Sequence, residues 1–215
     1  DANVTYCRNK VVELANHTNY IHSDNWYISE NRPLGDFYGY KYLGVFAYDE
    51  SNAFTEDWKQ LTPVFAENGA FDHYKLGDDR YDGLVKQKTL PNGTPFRGGD
   101  INWEENPEHQ DGIINDHDRM ILGNAQPFIT GGITLTFRFQ FTLSAASYFS
   151  VGGKIYNYAR YNQDQASMAA WSTTPTIGWV NNFWVKQGDQ VTYPRPFADS
   201  FQNDRHVNSL YVEDG

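Results

Sequence analysis

From Ile133 to Val151 the chain alternates between oily and wet positions. Odd numbers carry Ile133, Leu135, Phe137, Phe139, Phe141, Leu143, Ala145, Ser147, Phe149 and Val151, while even numbers carry Thr134, Thr136, Arg138, Gln140, Thr142, Ser144, Ala146, Tyr148 and Ser150. A period of two predicts extended chain with one apolar and one polar face. A single strand of that length would reach roughly 60 Å at about 3.3 Å per residue, so a turn must fall inside it. Residues paired across a hairpin share a face, and odd-with-odd pairing such as Phe137 with Phe141 needs an odd loop, for instance Arg138-Phe139-Gln140. The expectation is two strands, about 128–138 and 140–151, joined by a very short turn.

The stretches flanking this hairpin, about 110 and 60 residues, are rich in Gly, Asn, Asp, Pro and aromatics, and far exceed ordinary connections in compact domains. A short turn at one end and very long loops at the other is the asymmetry of an outer-membrane barrel. The resulting partition is a strand region at 1–14, a long extracellular loop region at 15–127, a transmembrane hairpin at 128–151 and a second extracellular loop region at 152–215. Tyr148, Phe149, Tyr156, Tyr158 and Tyr161 then fall where a strand would leave the bilayer, as an interfacial aromatic girdle. Short strands within the loops are expected around Phe37 to Tyr42 and Trp179 to Val185. The alternative for the hairpin is one layer of a soluble β-sandwich, whose oily face meets a second sheet.

Composition supports strands and loops. Six Trp, fifteen Tyr and fourteen Phe make the chain 16% aromatic, which favours pleated structure over helix. Seventeen basic and twenty-seven acidic side chains leave a formal charge of -10, which repels a phosphate backbone and argues against nucleic acid. The single cysteine, Cys7, excludes an internal disulfide. No run of about 18 apolar residues exists, which excludes a membrane-spanning helix. A mean hydropathy of -0.67 leaves membrane strands open, because their lipid-facing and lumen-facing residues alternate. The start carries no signal-peptide pattern, so a mature or internal sequence is expected.

Several motifs then fall into one order. They are Asn9-Lys10-Val11-Val12 with Leu14; Gly35-Asp36-Phe37-Tyr38-Gly39-Tyr40 leading to Gly44-Val45-Phe46; Gly99-Asp100-Ile101-Asn102-Trp103-Glu104; Asp111-Gly112-Ile113-Ile114-Asn115-Asp116-His117-Asp118-Arg119; Ile121-Leu122-Gly123-Asn124 with Pro127 and Thr130-Gly131-Gly132; and Gly153-Lys154-Ile155-Tyr156-Asn157. Together they resemble the C-terminal barrel region of SusC/RagA-like TonB-dependent outer-membrane transporters, over most of residues 3 to 160. The resemblance implies an all-β fold: a partial segment of a large transmembrane antiparallel β-barrel with long extracellular loops. It also implies a place in the bacterial outer membrane, and import of glycans or peptides together with a SusD-like surface lipoprotein, driven by TonB through a part of the protein not present here. The contrasting function is a soluble secreted carbohydrate-binding module.

Candidate chemistry is sparse. Asp111-Gly112, followed by the apolar Ile114 and by Asn115 and Asp118, resembles the second half of an EF-hand-type calcium loop. Glu105, Asp111, Ile113, Asn115 and Asp118 form the candidate set for a structural Ca2+, weighed against a solvated acidic turn; Pro107 and an apparent two-residue insertion disturb the pattern. His109 and His117 match no zinc spacing. No spacing singles out a glycosidase carboxylate pair, and no nucleophile elbow, Walker loop or dinucleotide fingerprint is present, so an enzyme is not expected. The sequons at Asn16 and Asn92 read as ordinary loop turns in an outer membrane. Trp26, Tyr27, Trp58, Trp103, Trp171, Trp179 and Trp184 could stack on sugars or seat a lipoprotein, or simply form loop cores.

Overall fold

Gly, Asn and Asp interrupt the β-branched and aromatic runs every few residues, so most strands here are three to six residues long. The structure, a computed structural model, describes residues 1–22, 25–168, 176–196 and 207–215. It divides into two units, one comprising residues 1–39, 121–157 and 209–215, the other residues 40–120 and 158–208.

The first unit contains the two longest strands, Ile129–Arg138 and Thr142–Val151, paired antiparallel. Ala2–Tyr6 adds to the outer edge of the first of them, giving the order Ala2–Tyr6, Ile129–Arg138, Thr142–Val151. The hairpin pairs odd with odd, as its face pattern requires, but Phe137 lies opposite Leu143. The turn is therefore Phe139-Gln140-Phe141, one residue later than Arg138-Phe139-Gln140, and the Phe139 amide donates to the Phe141 carbonyl at 2.9 Å. A shift of one residue in the turn moves every partner by two, so the apolar face survives. Gly131 lies opposite Phe149, and a Cβ there would meet the Phe149 ring at 2.5 Å.

The first strand ends at Tyr6 instead of running to residue 14. Cys7 still donates its amide to Phe128, and beyond it the chain turns away, so that Val11 exchanges backbone hydrogen bonds with Arg32 and Asn31. A four-stranded sheet follows, in the order Met120–Asn124, Asp36–Gly39, Trp26–Ile28, Tyr20–His22. Trp26 stacks on Phe37 at 4.5 Å between ring centroids, and Tyr27 on Tyr38 at 4.9 Å. Lys154–Tyr156 pairs with Val212–Asp214.

The second unit packs Tyr40, Phe46, Phe54, Leu90, Phe96, Ile101, Trp103 and Ile114 into one core, with Tyr42 and Trp58 against it. Tyr42–Val45 pairs with Ile101–Trp103, and Thr62–Phe65, Phe71–Leu76 and Asp79–Tyr81 form a meander. Sheets this small satisfy little of the backbone, so side chains complete the wiring. Asn52, fully buried, donates to the carbonyls of Lys88 and Phe96 and accepts from the Lys88 amide. Asp100, also fully buried, pairs with Arg195 at 3.1 Å; burial pushes its carboxyl up, and the Arg97 amide and the Arg195 guanidinium oppose that.

Three expectations change. Tyr158–Met168 is a helix within the expected loop region, supported by the Arg160–Asp164 pair one turn apart and by the buried Tyr161 and Asp164. Ile177–Val180 is a short helical turn capped by Thr176, whose hydroxyl accepts from the Trp179 amide, so the segment Trp179 to Val185 does not form a strand. The girdle does not form as a row, because Tyr148 and Phe149 point to opposite faces of their strand and Tyr161 is buried in the second unit. Trp171 lies outside the described residues.

Candidate functional site

The three-stranded sheet sets the surface chemistry of the first unit. Its register places Ala2, Val4 and Tyr6 on the same face as Ile129, Ile133, Leu135, Phe137, Leu143, Phe149 and Val151. This face is exposed: Val4 is 70% accessible, Leu135 67% and Leu143 62%. The opposite face carries Asn3, Thr5, Thr130, Thr134, Thr136, Thr142, Ser144 and Ser150. A soluble sandwich would bury the apolar face, since a contiguous exposed patch of that kind is costly in water. Ten residues rising about 3.3 Å each, tilted near 40°, cover about 25 Å, the height of an outer-membrane apolar band. Phe139 and Phe141 sit exposed in the turn, at one rim of that band.

The strand Ala2–Tyr6 and the strand Ile129–Arg138 meet at Tyr6 and Ile129, so residues 7–128 leave and return at one end of the sheet. The other end is closed by the three-residue turn. Among the described residues, the outer edges of Ala2–Tyr6 and Thr142–Val151 carry no further strand.

The acidic loop lies in the second unit and centres on Gly112, whose φ of +81° is a left-handed conformation that favours glycine. Trp58 lies directly over it: a Cβ at Gly112 would meet the Trp58 ring edge at 2.0 Å. The five candidate ligands are brought into one loop, and each carboxylate gives at least one oxygen to a backbone amide. Glu105 accepts from the Gly112 amide at 2.5 Å, Asp111 from Ile113 at 2.8 Å, and Asp118 from Asn115 at 2.7 Å and from Asn106 at 3.2 Å. The Ile113 carbonyl accepts from the Asn115 side-chain amide, and the Asn115 side-chain oxygen accepts from the His117 backbone amide. The rings of His109 and His117 are 5.4 Å apart. Among the described residues no three His, Cys, Asp or Glu side chains are grouped to hold a metal.

The positive charge beside this loop comes from a residue that no motif or spacing singles out. Lys88 is buried, and its ammonium donates to the Asn102 side chain at 3.2 Å and to the Trp103 carbonyl at 2.5 Å while lying 4.7 Å from the centre of the Phe54 ring. Burial brings its pKa down to about 8, with the charges of Glu105, Asp118 and Glu104 pulling the other way. Burial likewise pushes Glu105 and Asp118 up, opposed by the Gly112 amide in one case and the Asn115 amide in the other. A lysine whose pKa is lower folded than unfolded contributes stability above its unfolded value, near 10.5, and loses it as pH falls through about 8. The urea midpoint of tryptophan fluorescence should therefore rise between pH 8 and about 9, below the range in which the raised hydroxyls of Tyr42, Tyr74 and Tyr193 begin to cost stability. A midpoint that is flat or falling over that window would count against a buried, charge-strained Lys88.

No protein-family model matches the chain. Among curated proteins it is similar to TonB-dependent receptor P39 of Formosa agariphila, with 35% identity over 214 residues, which is 98% of this chain and 20% of that protein. It is also similar to TonB-dependent receptor P3 of the same organism, with 28% identity over 189 residues, 87% of this chain and 14% of that protein. The chain thus spans a fifth or less of the length of these relatives.

Proposed function

The chain corresponds to a segment of a TonB-dependent receptor and has its place in the bacterial outer membrane; from that premise we propose that it supplies three neighbouring strands of a barrel wall and a large extracellular loop assembly. In this reading Ala2–Tyr6, Ile129–Arg138 and Thr142–Val151 turn their apolar face to lipid, and residues 7–128 and 152–215 build the outer vestibule. The assembled receptor imports a glycan or a peptide. A SusD-like lipoprotein would seat on the loops, and TonB would act through parts of the receptor beyond this segment. The loops hold or guide the solute and do no covalent chemistry.

One observation carries the wall assignment: a long sheet that places most of its large apolar side chains on one exposed face and mainly Thr, Ser and Asn on the other, with Ser147, Ala146 and Tyr148 as the exceptions. It is tested by placing single fluorophores through Leu135→Cys, Thr136→Cys, Phe137→Cys, Leu143→Cys and Ser144→Cys in the full receptor, reconstituted in brominated lipid. Quenching is expected to be several-fold stronger at 135, 137 and 143 than at 136 and 144. Equal quenching on both faces would sink the wall assignment.

The acidic loop supports a structural rather than catalytic role. A calcium ion on Glu105, Asp111, Ile113, Asn115 and Asp118 is a separate proposal, and it would share those groups with the amides they now accept from. The charges of Glu105 and Asp118 act on the nearby Lys88 ammonium, which supports the other reading, a loop held without calcium. Measuring the same urea midpoint with and without a calcium chelator separates the two, since only a bound calcium makes the chelator destabilising.

A further inference from the structure

A cavity of about 270 Å³ opens in the first unit where the sheet meets its loops. Its floor is the row Cys7, Phe128 and Gly152, and the chain that leaves the first strand contributes Arg8 and Lys10. No acidic side chain lines it, although the sequence carries ten more acids than bases. Among the described residues, Arg8 and Lys10 have no ion-pair partner. Asn31 also lines the cavity, as does Gln126, whose side-chain oxygen accepts from Asn9.

The row has a side. Cys7 keeps the parity of Asn3 and Thr5 and its amide still donates to the Phe128 carbonyl, so at Cys7 the cavity continues the polar face of the sheet, while Gly152, at a φ of +89°, already leaves the strand. We propose that this cavity is a binding subsite for an anionic group, a carboxylate, phosphate or sulfate, carried by a solute at the mouth of the barrel. A guanidinium, an ammonium and side-chain amides with no opposing carboxylate suit such a group, since charge-assisted hydrogen bonds to an anion are stronger than neutral ones. Assigning the anion to a solute and not to a lipid headgroup rests on the wall reading, which turns the polar face away from the bilayer.

Cys7 is exposed and serves as the reporter. In the full receptor in a nonionic detergent, the rate of maleimide addition at Cys7 is followed by mass spectrometry of its peptide, with pyrophosphate or with chloride at equal ionic strength. Pyrophosphate should slow labelling by roughly fivefold or more, and the Arg8→Gln/Lys10→Gln variant should lose that protection. Absence of protection, or protection that persists in the double variant, overturns the site. Vesicles of phosphatidylglycerol and of phosphatidylcholine form the second arm, and protection by phosphatidylglycerol alone overturns the assignment to a solute. The lipid-quenching pattern is read independently, so loss of Cys7 protection with intact alternation removes the subsite and leaves the wall in place.

Discussion

Leu135→Arg is expected to reduce the folded, membrane-inserted fraction of the receptor sharply, while Thr134→Arg, one position away, leaves it near the parental level. The register places Leu135 opposite Ala145 on the exposed apolar face and Thr134 opposite Ala146 on the other. Counted from Ile129 at the loop end, Leu135 lies about 15 Å down a tilted strand, near the middle of a band about 25 Å tall. A cation at that depth costs about 2–4 kcal/mol, and the cost falls toward the interfaces. Leu143, beside the turn, should therefore tolerate Arg better, at about 1 kcal/mol. The readout is the heat-modifiable shift of the folded barrel on a gel and its unfolding midpoint in denaturant. Equal damage at 134 and 135 would mean that both faces are buried in protein, the arrangement of a sandwich.

The two-faced hairpin was legible because an apolar and a polar face impose opposite demands on alternate residues. Ile133 to Val151 carried enough alternation to fix which residues share a face without fixing the turn, since moving the loop by one residue preserves parity. The pairing of Ala2–Tyr6 with the hairpin was not legible: Val4 and Tyr6 alternate correctly, but nothing in the sequence says that residues 123 or more apart become neighbours. The helix Tyr158–Met168 was hidden for a related reason. Its polar composition gives no apolar stripe, and what fixes it is the burial of Tyr161 and Asp164.

The acidic loop divides in the same way. Asp111-Gly112 announced a sharp turn, and Gly112 adopts the positive φ that such a turn uses. Glu105, Asp111 and Asp118 were read as candidate calcium ligands or as a solvated acidic turn; each gives an oxygen to a backbone amide, because a loop with few ladder hydrogen bonds leaves amides to be satisfied. Lys88 and Trp58 complete the loop from positions 17 or more residues before Glu105, and local spacing holds no trace of such partners.

Gly112→Ala should open this loop, and the effect should depend on Trp58. Two costs combine: a left-handed φ costs a residue with a Cβ about 1 kcal/mol or more, and the new Cβ would occupy the place of the Trp58 ring. Trp58 cannot yield freely, because it packs on the core beside Phe54, has Lys86 5.1 Å from its ring centre and is held at a φ of +58°. The sum is about 3 kcal/mol, enough to raise the population of the open loop by roughly two orders of magnitude and, with it, the rate of limited proteolysis within residues 105–118. The bonds that would be lost first are those through the Gly112 peptide, its amide to Glu105 and its carbonyl to the Thr89 amide. In a Trp58→Ala background the steric part disappears, so Gly112→Ala should cost only the backbone strain, and the two substitutions should couple by about 2 kcal/mol. Additive effects would show that the ring does not restrain the turn, and that only the backbone conformation makes glycine necessary at position 112.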